Sequence, residues 1–224
     1  MSRRVFIVGA GAIARGSAAL LEARGHRAVI WSPSGASAGD LSEGLRANGA
    51  LEVQCTTVLS ADLADVASCD AVLIALPGYA HKVVFDRLAA SLPDGLPVIV
   101  SSHVSFGALY LQQTLAERGV TCPVNCWGTT AVTGRSMPGG VTVNTIRSKI
   151  DLCTVPEVAS SNGLALCQEL FGDVFVPRTG LMAITLSNLN PQNHLGIAIG
   201  NMTRMERGEI WSQGQNITPN VGRL

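Results

Sequence analysis

Two stretches of this chain bring together residue types that could do chemistry. The first is Gly9-Ala10-Gly11-Ala12-Ile13-Ala14, directly after the apolar run Val5-Phe6-Ile7-Val8. G-x-G-x-x-A between a strand and a helix is suited to holding the pyrophosphate of a dinucleotide. Gly9 permits the tight turn, Gly11 removes the side chain that would block the phosphates, and Ala14 lets helix and strand pack closely. Amides at the helix start, those of Ala12 and Ile13 among them, then point at the anion, and the helix dipole favours its charge.

The second stretch is SNLNPQNH, Ser187 to His194, where His194 follows Asn188, Asn190 and Asn193 in a polar cluster between apolar segments. An imidazole, with an unperturbed pKa of about 6.5, takes and gives protons around neutrality. His194 reads either as a general acid/base or as a cap on helix backbone groups after Pro191. Asn190 and Gln192 could orient a substrate carboxylate or carbonyl; Asn190 reads equally as a helix cap.

The elements that must position these residues follow from periodicity. Ile13 to Arg24 reads as a helix ended by Gly25, and Ala28 to Trp31 as a second strand. Leu51-Glu52-Val53 reads as a short third strand, and Ser60 as the cap of a brief helix through Val66. Ala71 to Ala75 and Val98 to Val100 are buried strands; Tyr79 to Leu92 and Leu109 to Arg118 are helices. From Pro123 to Val155 the runs Thr142–Thr145 and Leu152–Val155 read as antiparallel strands extending the sheet. Glu157 to Phe171 reads as a helix and Val174 to Val176 as a last strand. This alternation predicts an α/β Rossmann-type fold, a doubly wound and mainly parallel sheet with an antiparallel extension. The first helices of an incomplete α-helical domain follow it. Residues 1–180 are expected to form the dinucleotide-binding domain and 181–224 the start of the helical one.

Strand ends supply further candidates, because ligands of such sheets sit beyond the carboxyl ends of the strands. Leu76, Pro77 and Gly78 follow one strand and read as cofactor contacts or as a simple turn. His81 either faces the same cleft or is a solvated or capping residue. Ser101-Ser102-His103 follow another strand and could approach a nicotinamide, whereas His26, in a helix-to-strand turn, is expected at the surface. An acidic residue usually ends the second strand of an NAD site. Here Trp31-Ser32-Pro33-Ser34-Gly35 offers none. Ser32 and Ser34 could bond a 2′-phosphate, with Arg46 as a source of positive charge, so NADP is expected, with NAD as the alternative.

Sixteen basic and 16 acidic residues balance, so nothing favours nucleic acid or an anionic membrane as a partner. No apolar stretch is long enough to span a bilayer. Arg3-Arg4 imitates an export signal only if the glycine turn is discarded from the strand it completes, so a cytoplasmic protein is expected. The six cysteines lack metal-site spacing and read as small buried hydrophobes; no structural metal is expected.

GAGAIA, LPGYAH (Leu76–His81), FGALYL (Phe106–Leu111) and above all SNLNPQNH give the chain a resemblance to the opine dehydrogenases of the octopine and nopaline type. That resemblance implies a dinucleotide-binding domain joined to an α-helical domain. It also implies NAD(P)H-dependent reductive condensation of an amino acid with a 2-keto acid through an imine. His194 matches the family's catalytic histidine. NITPNVGRL (Asn216–Leu224) looks like the family's helical domain cut off early. Thr218 is a good N-cap before Pro219, and the chain stops one turn on, so a longer protein is expected. The family's acidic partner of the histidine would lie beyond Leu224. A homodimer is the assembly left open. Two alternatives remain: a non-catalytic NAD(P)-binding module left by loss of the helical domain, and a related two-domain 2-keto acid reductase. Reductases of that kind usually rely on a lysine in the second domain, and no lysine follows Gly180.

Overall fold

The computed structural model of the chain describes residues 1–224 except 36–37, 57, 104–105, 188–189, 212–216 and 224, and the side chains of 190–192. The apolar run after Arg4 forms β1 (Arg4–Val8). It is buried from Val5 onward because it lies between two parallel neighbours, β2 (Arg27–Trp31) and β6 (Ala71–Ile74). The same sheet takes in β5 (Val58–Ser60), β7 (Val98–Val100), β8 (Val124–Trp127), β11 (Ile150–Val155) and β12 (Phe175–Pro177). Its eight strands run β12-β11-β8-β7-β6-β1-β2-β5. All pairs are parallel except β11 against β8, the antiparallel extension. The strand order reverses between β1 and β6, which makes their carboxyl ends the switch point of a doubly wound sheet.

A second sheet of four strands is made of β3 (Leu45–Gly49), β4 (Val53–Cys55), β9 (Val132–Met137) and β10 (Gly140–Ile146), in the order β4-β3-β10-β9. It packs on α1 (Ala12–Ala23), whose other side faces the main sheet, and this sandwiching explains the helix's composition. Every residue from Ala14 to Leu21 is buried, so most must be small or apolar. A Cβ at Gly16 would stand 2.7 Å from Val132 Cγ2, a distance that only glycine avoids. Arg15 is the exception in this helix, buried and fully engaged. Its Nε donates to Ala10 O at 2.8 Å, Nη1 to Met137 O at 3.0 Å and Gly140 O at 3.1 Å, and Nη2 to Asp40 at 2.7 Å. One guanidinium thus ties the glycine turn to the second sheet.

The opposite face of the main sheet is covered by α2 (His81–Ser91) and α3 (Gly107–Ala116), whose Val84, Phe85, Leu88, Leu111 and Leu115 close a second apolar cluster. On the α1 side, α4 (Ser160–Phe171) adds Cys167, Leu170 and Phe171 to the first. The chain divides into two compact units, Met1–Thr185 and Leu186–Leu224. Across their junction runs α5 (Leu181–Ser187); the second unit contains α6 (Asn190–Gly200) and α7 (Met202–Glu206). Among the described residues no helix is long and apolar enough to cross a membrane.

Several local expectations need correction. Leu51 and Glu52 are not in a strand, and the third parallel strand of the main sheet is β5. Thr142–Thr145 does not extend the main sheet but belongs to β10 in the second one, drawn there by pairing with β3 and β9. The short helix at Leu63–Ser68 is capped by Asp62, which accepts from Ala64 N–H, and not by Ser60. His26 is buried rather than superficial, because α4 and the start of β1 cover its turn. Its Nδ1 accepts from Arg3 N–H at 3.2 Å and its Nε2 donates to Glu169 O at 3.1 Å. The six cysteines are free thiols, and all but Cys55 are buried.

Candidate functional site

At the switch point lies a cleft of about 360 Å³. Gly11, Ala12 and Ile13 form one wall, Ala75 to Gly78 a second, and Ser101, Ser102, Thr130 and Gly134 complete it. The loops after β1, β6, β7 and β8 therefore converge there, at the carboxyl ends of parallel strands.

The two glycines of the turn answer to different needs. Gly9 has φ +125° and donates its N–H to Trp31 O at 2.8 Å; a Cβ there would be 2.5 Å from Ala75 O. The fold itself requires that glycine. Gly11 has φ −78° and ψ −177°, open to any residue, and a Cβ would meet nothing within 4 Å. No internal packing requires glycine at position 11. What glycine leaves there is open space against the backbone, on the wall of the cleft. Gly11 is also the N-cap of α1 and supplies no side-chain cap, and the first turn contains no acidic residue. The helix's leading amides therefore lack a side-chain acceptor and face outward with the positive end of the dipole. An anion is the partner such an end accepts.

Other candidates are distributed as follows. Ala14 is buried in the core behind the turn, and Leu76 and Pro77 are on the cleft wall. Ser32 is half-buried and Ser34 exposed, both in the loop after β2 and outside the cleft lining. Ser102 adopts φ +59°, the one non-glycine residue with positive φ among those described, a strain that concentrates at functional sites. His81 and His103 stand behind the cleft wall as buried supports. His81 Nε2 donates to Leu76 O at 3.1 Å, and His103 Nε2 accepts from Ala108 N–H at 3.0 Å. Burial lowers the pKa of both, that of His103 to about 4 with the nearby His81 adding to the shift, so both rings are neutral at pH 7.

Thr130 and Gly134 were not singled out from sequence. The usable signal was positional: Gly128-Thr129-Thr130 follows the carboxyl end of a buried strand. Arg46 proves to be on β3, exposed, lining a separate cleft with Asp40, Glu43 and Gln54. The arginine at the end of β2 is instead Arg87, from α2. Its guanidinium carbon sits 4.8 Å from the Trp31 ring centroid and its Nη1 3.5 Å from Pro33 O.

In the second unit His194 is exposed on α6 and lines a cleft of about 440 Å³ with Ile197, Ala198, Met205 and Trp211. Asn190 begins α6, but its side chain and that of Gln192 lie outside the described residues, as does Asn188.

No family model matches the sequence, and no curated protein does. Solved structures do. Octopine dehydrogenase, in a complex with NADH and L-arginine, superposes with a TM-score of 0.76 at 16% identity, covering 89% of this chain and 54% of that one. This chain shares the fold of octopine dehydrogenase. Yersinopine dehydrogenase with NADP⁺ bound gives 0.73 at 19% identity, over 89% of this chain and 53% of its own. A ketopantoate reductase from Ralstonia eutropha JMP134 gives 0.62 at 18%, over 88% and 61%. At such identities the likeness to octopine dehydrogenase is one of fold. This chain spans about half the length of the octopine and yersinopine dehydrogenases it matches.

Proposed function

We propose that the chain binds NADP, with NAD as the alternative, and serves an oxidoreductase of opine dehydrogenase type. Its reaction would join the amine of an amino acid to a 2-keto acid through an imine that is then reduced. The observation carrying this reading is the open backbone at Gly11 beside a helix start that no side chain caps, on the wall of a switch-point cleft. The residues present fit a dinucleotide. Amides of Gly11, Ala12 and Ile13 would hold its pyrophosphate, and Leu76 and Pro77 would flank it. Octopine dehydrogenase structures containing NADH, with L-arginine or with pyruvate, and a yersinopine dehydrogenase containing NADP⁺ support the choice of cofactor and substrate class.

When bound, the nicotinamide supplies hydride. The chain's own task is to orient and to move protons. His194 is assigned the proton transfers: it takes one from the amine as nitrogen adds to the ketone and returns one to the hydroxyl that leaves as water. Asn190 and Gln192 are assigned to substrate carboxylate or carbonyl groups. In this reading residues 1–180 are the nucleotide domain and 181–224 the beginning of the substrate domain.

A second reading, a nucleotide-binding module without turnover, draws on the exposure of His194 in a unit of its own. The two separate cleanly in one experiment. NADPH oxidation that requires both an amino acid and a 2-keto acid supports the dehydrogenase; saturable NADPH binding without oxidation supports the module. Absence of binding to either dinucleotide removes both.

A further inference from the structure

The end of β2 is where a Rossmann-type site normally reads the adenosine ribose, with a carboxylate for a free 2′-hydroxyl or positive charge for a 2′-phosphate. In this chain Trp31 occupies that end, and its carbonyl accepts the Gly9 N–H at 2.8 Å, which places it against the glycine turn. No carboxylate stands between Trp31 and Gly35. A cation arrives from elsewhere in the chain. Arg87, one and a half turns into α2, lies over the buried Trp31 ring at 4.8 Å with Nη1 directed at Pro33 O, 3.5 Å away.

That charge is not neutralised. Arg87 forms no ion pair with any described carboxylate, and its neighbour Asp86 is taken by Lys82 at 2.9 Å and by the Tyr110 hydroxyl. The contact to Pro33 O is long for a hydrogen bond and leaves most of the five guanidinium donors open. A planar cation over an aromatic face, in contact with the loop that carries Ser32 and Ser34, matches a phosphomonoester dianion in charge and in donor geometry.

We propose that Arg87 is the residue by which this chain selects a nucleotide carrying a 2′-phosphate. The inference rests on the nucleotide-binding reading above and deepens it. Arg87 reaches the site from the helix following the fourth parallel strand and lies over the Trp31 ring. Nucleotides lacking the 2′-phosphate leave the guanidinium without a partner and gain nothing from it.

The test is direct binding to the full chain, read by quenching of tryptophan fluorescence. NADPH and NADH are titrated, and 2′,5′-ADP and 5′-ADP are compared as competitors. The proteins are wild type, Arg87→Met, which keeps an unbranched stem over Trp31, and Arg87→Lys. Loss of a charge-assisted contact predicts that Arg87→Met weakens NADPH and 2′,5′-ADP by roughly 10- to 100-fold. NADH and 5′-ADP should change less than about twofold, and Arg87→Lys should recover part of the loss. Equal weakening of all four ligands would reveal a merely structural arginine and overturn the proposal, as would no change in any. Wild-type protein that binds none of them would overturn the nucleotide-binding reading itself, and Arg87 selectivity with it.

Discussion

Residues 1–185 and 186–224 solve the burial problem in opposite ways. In the first unit Val5 to Val8, Ala71 to Ile74 and Val98 to Val100 are closed off completely, with helices or a second sheet over both faces. In the second, Ile197 and Val221 are buried, while Leu195, Ile199, Met202, Met205, Ile210 and Ile217 are exposed. Its helices are short, and short helices owe their stability to packing. The switch-point cleft is thus held by a core of its own, whereas the histidine stands on a unit whose described residues bury few apolar side chains. Binding and turnover should therefore respond independently to mutation.

The largest effect is expected from Arg15→Met. It deletes the guanidinium that joins Ala10 O, Asp40 and the carbonyls of Met137 and Gly140, and leaves those acceptors uncompensated. Asp40 is partly solvated, so the cost comes mainly from the carbonyls that lose a charged donor, and a loss of roughly 2–4 kcal/mol in urea-unfolding stability is expected. A loss below about 1 kcal/mol would mean that the second sheet does not depend on this tie. Next comes Gly9→Ala, where the new Cβ meets Ala75 O at 2.5 Å with φ +125°. It should cost about 2–3 kcal/mol and reduce dinucleotide affinity, because the wall itself shifts. Wild-type stability with Gly9→Ala would contradict the tight approach of the two loops.

Acid should act on the first unit through His81 and His103. Burial lowers both folded pKa values below the unfolded value of about 6.5. Their stabilising effect is therefore complete above pH 6.5 and is lost as pH falls toward about 4, the value for His103. For His103 the loss by pH 4.5 is roughly 2–3 kcal/mol. A His103→Gln variant should show a flatter stability profile between pH 6.5 and 4.5; an unchanged slope would show that this ring protonates freely in the folded chain. The smallest effect is expected from His194→Gln. Unfolding midpoint and NADPH affinity should stay within error while any turnover falls by at least 100-fold. A parallel drop in affinity would tie the second unit to nucleotide binding.

The division between the units also marks what sequence can carry. β1, the glycine turn and α1 were legible because their signals are local: an apolar run, glycines at fixed spacing, a helix period. The parallel sheet followed from the same alternation. Arg87 was not legible as a site residue, since 56 residues separate it from Trp31 and only the β6–α2 crossover brings them together. The second sheet escaped for a similar reason: β3 finds its partner in β10, nearly a hundred residues later. His26 was misplaced because its burial depends on Glu169 of α4, a contact with no trace in the residues around it. Thr130 carried only a positional hint, and the left-handed backbone of Ser102 carried none.

The decisive measurement is a pair of NADPH titrations with thermal melts, on wild type and Gly11→Leu. Position 11 has ordinary dihedrals and free space, so the leucine should leave the melting midpoint within about 2 °C of wild type. It should nevertheless weaken NADPH binding by at least about tenfold, because the side chain fills the space against the backbone that the pyrophosphate would occupy. A Gly11→Leu protein that melts like wild type and binds NADPH equally well would contradict the assignment of this cleft.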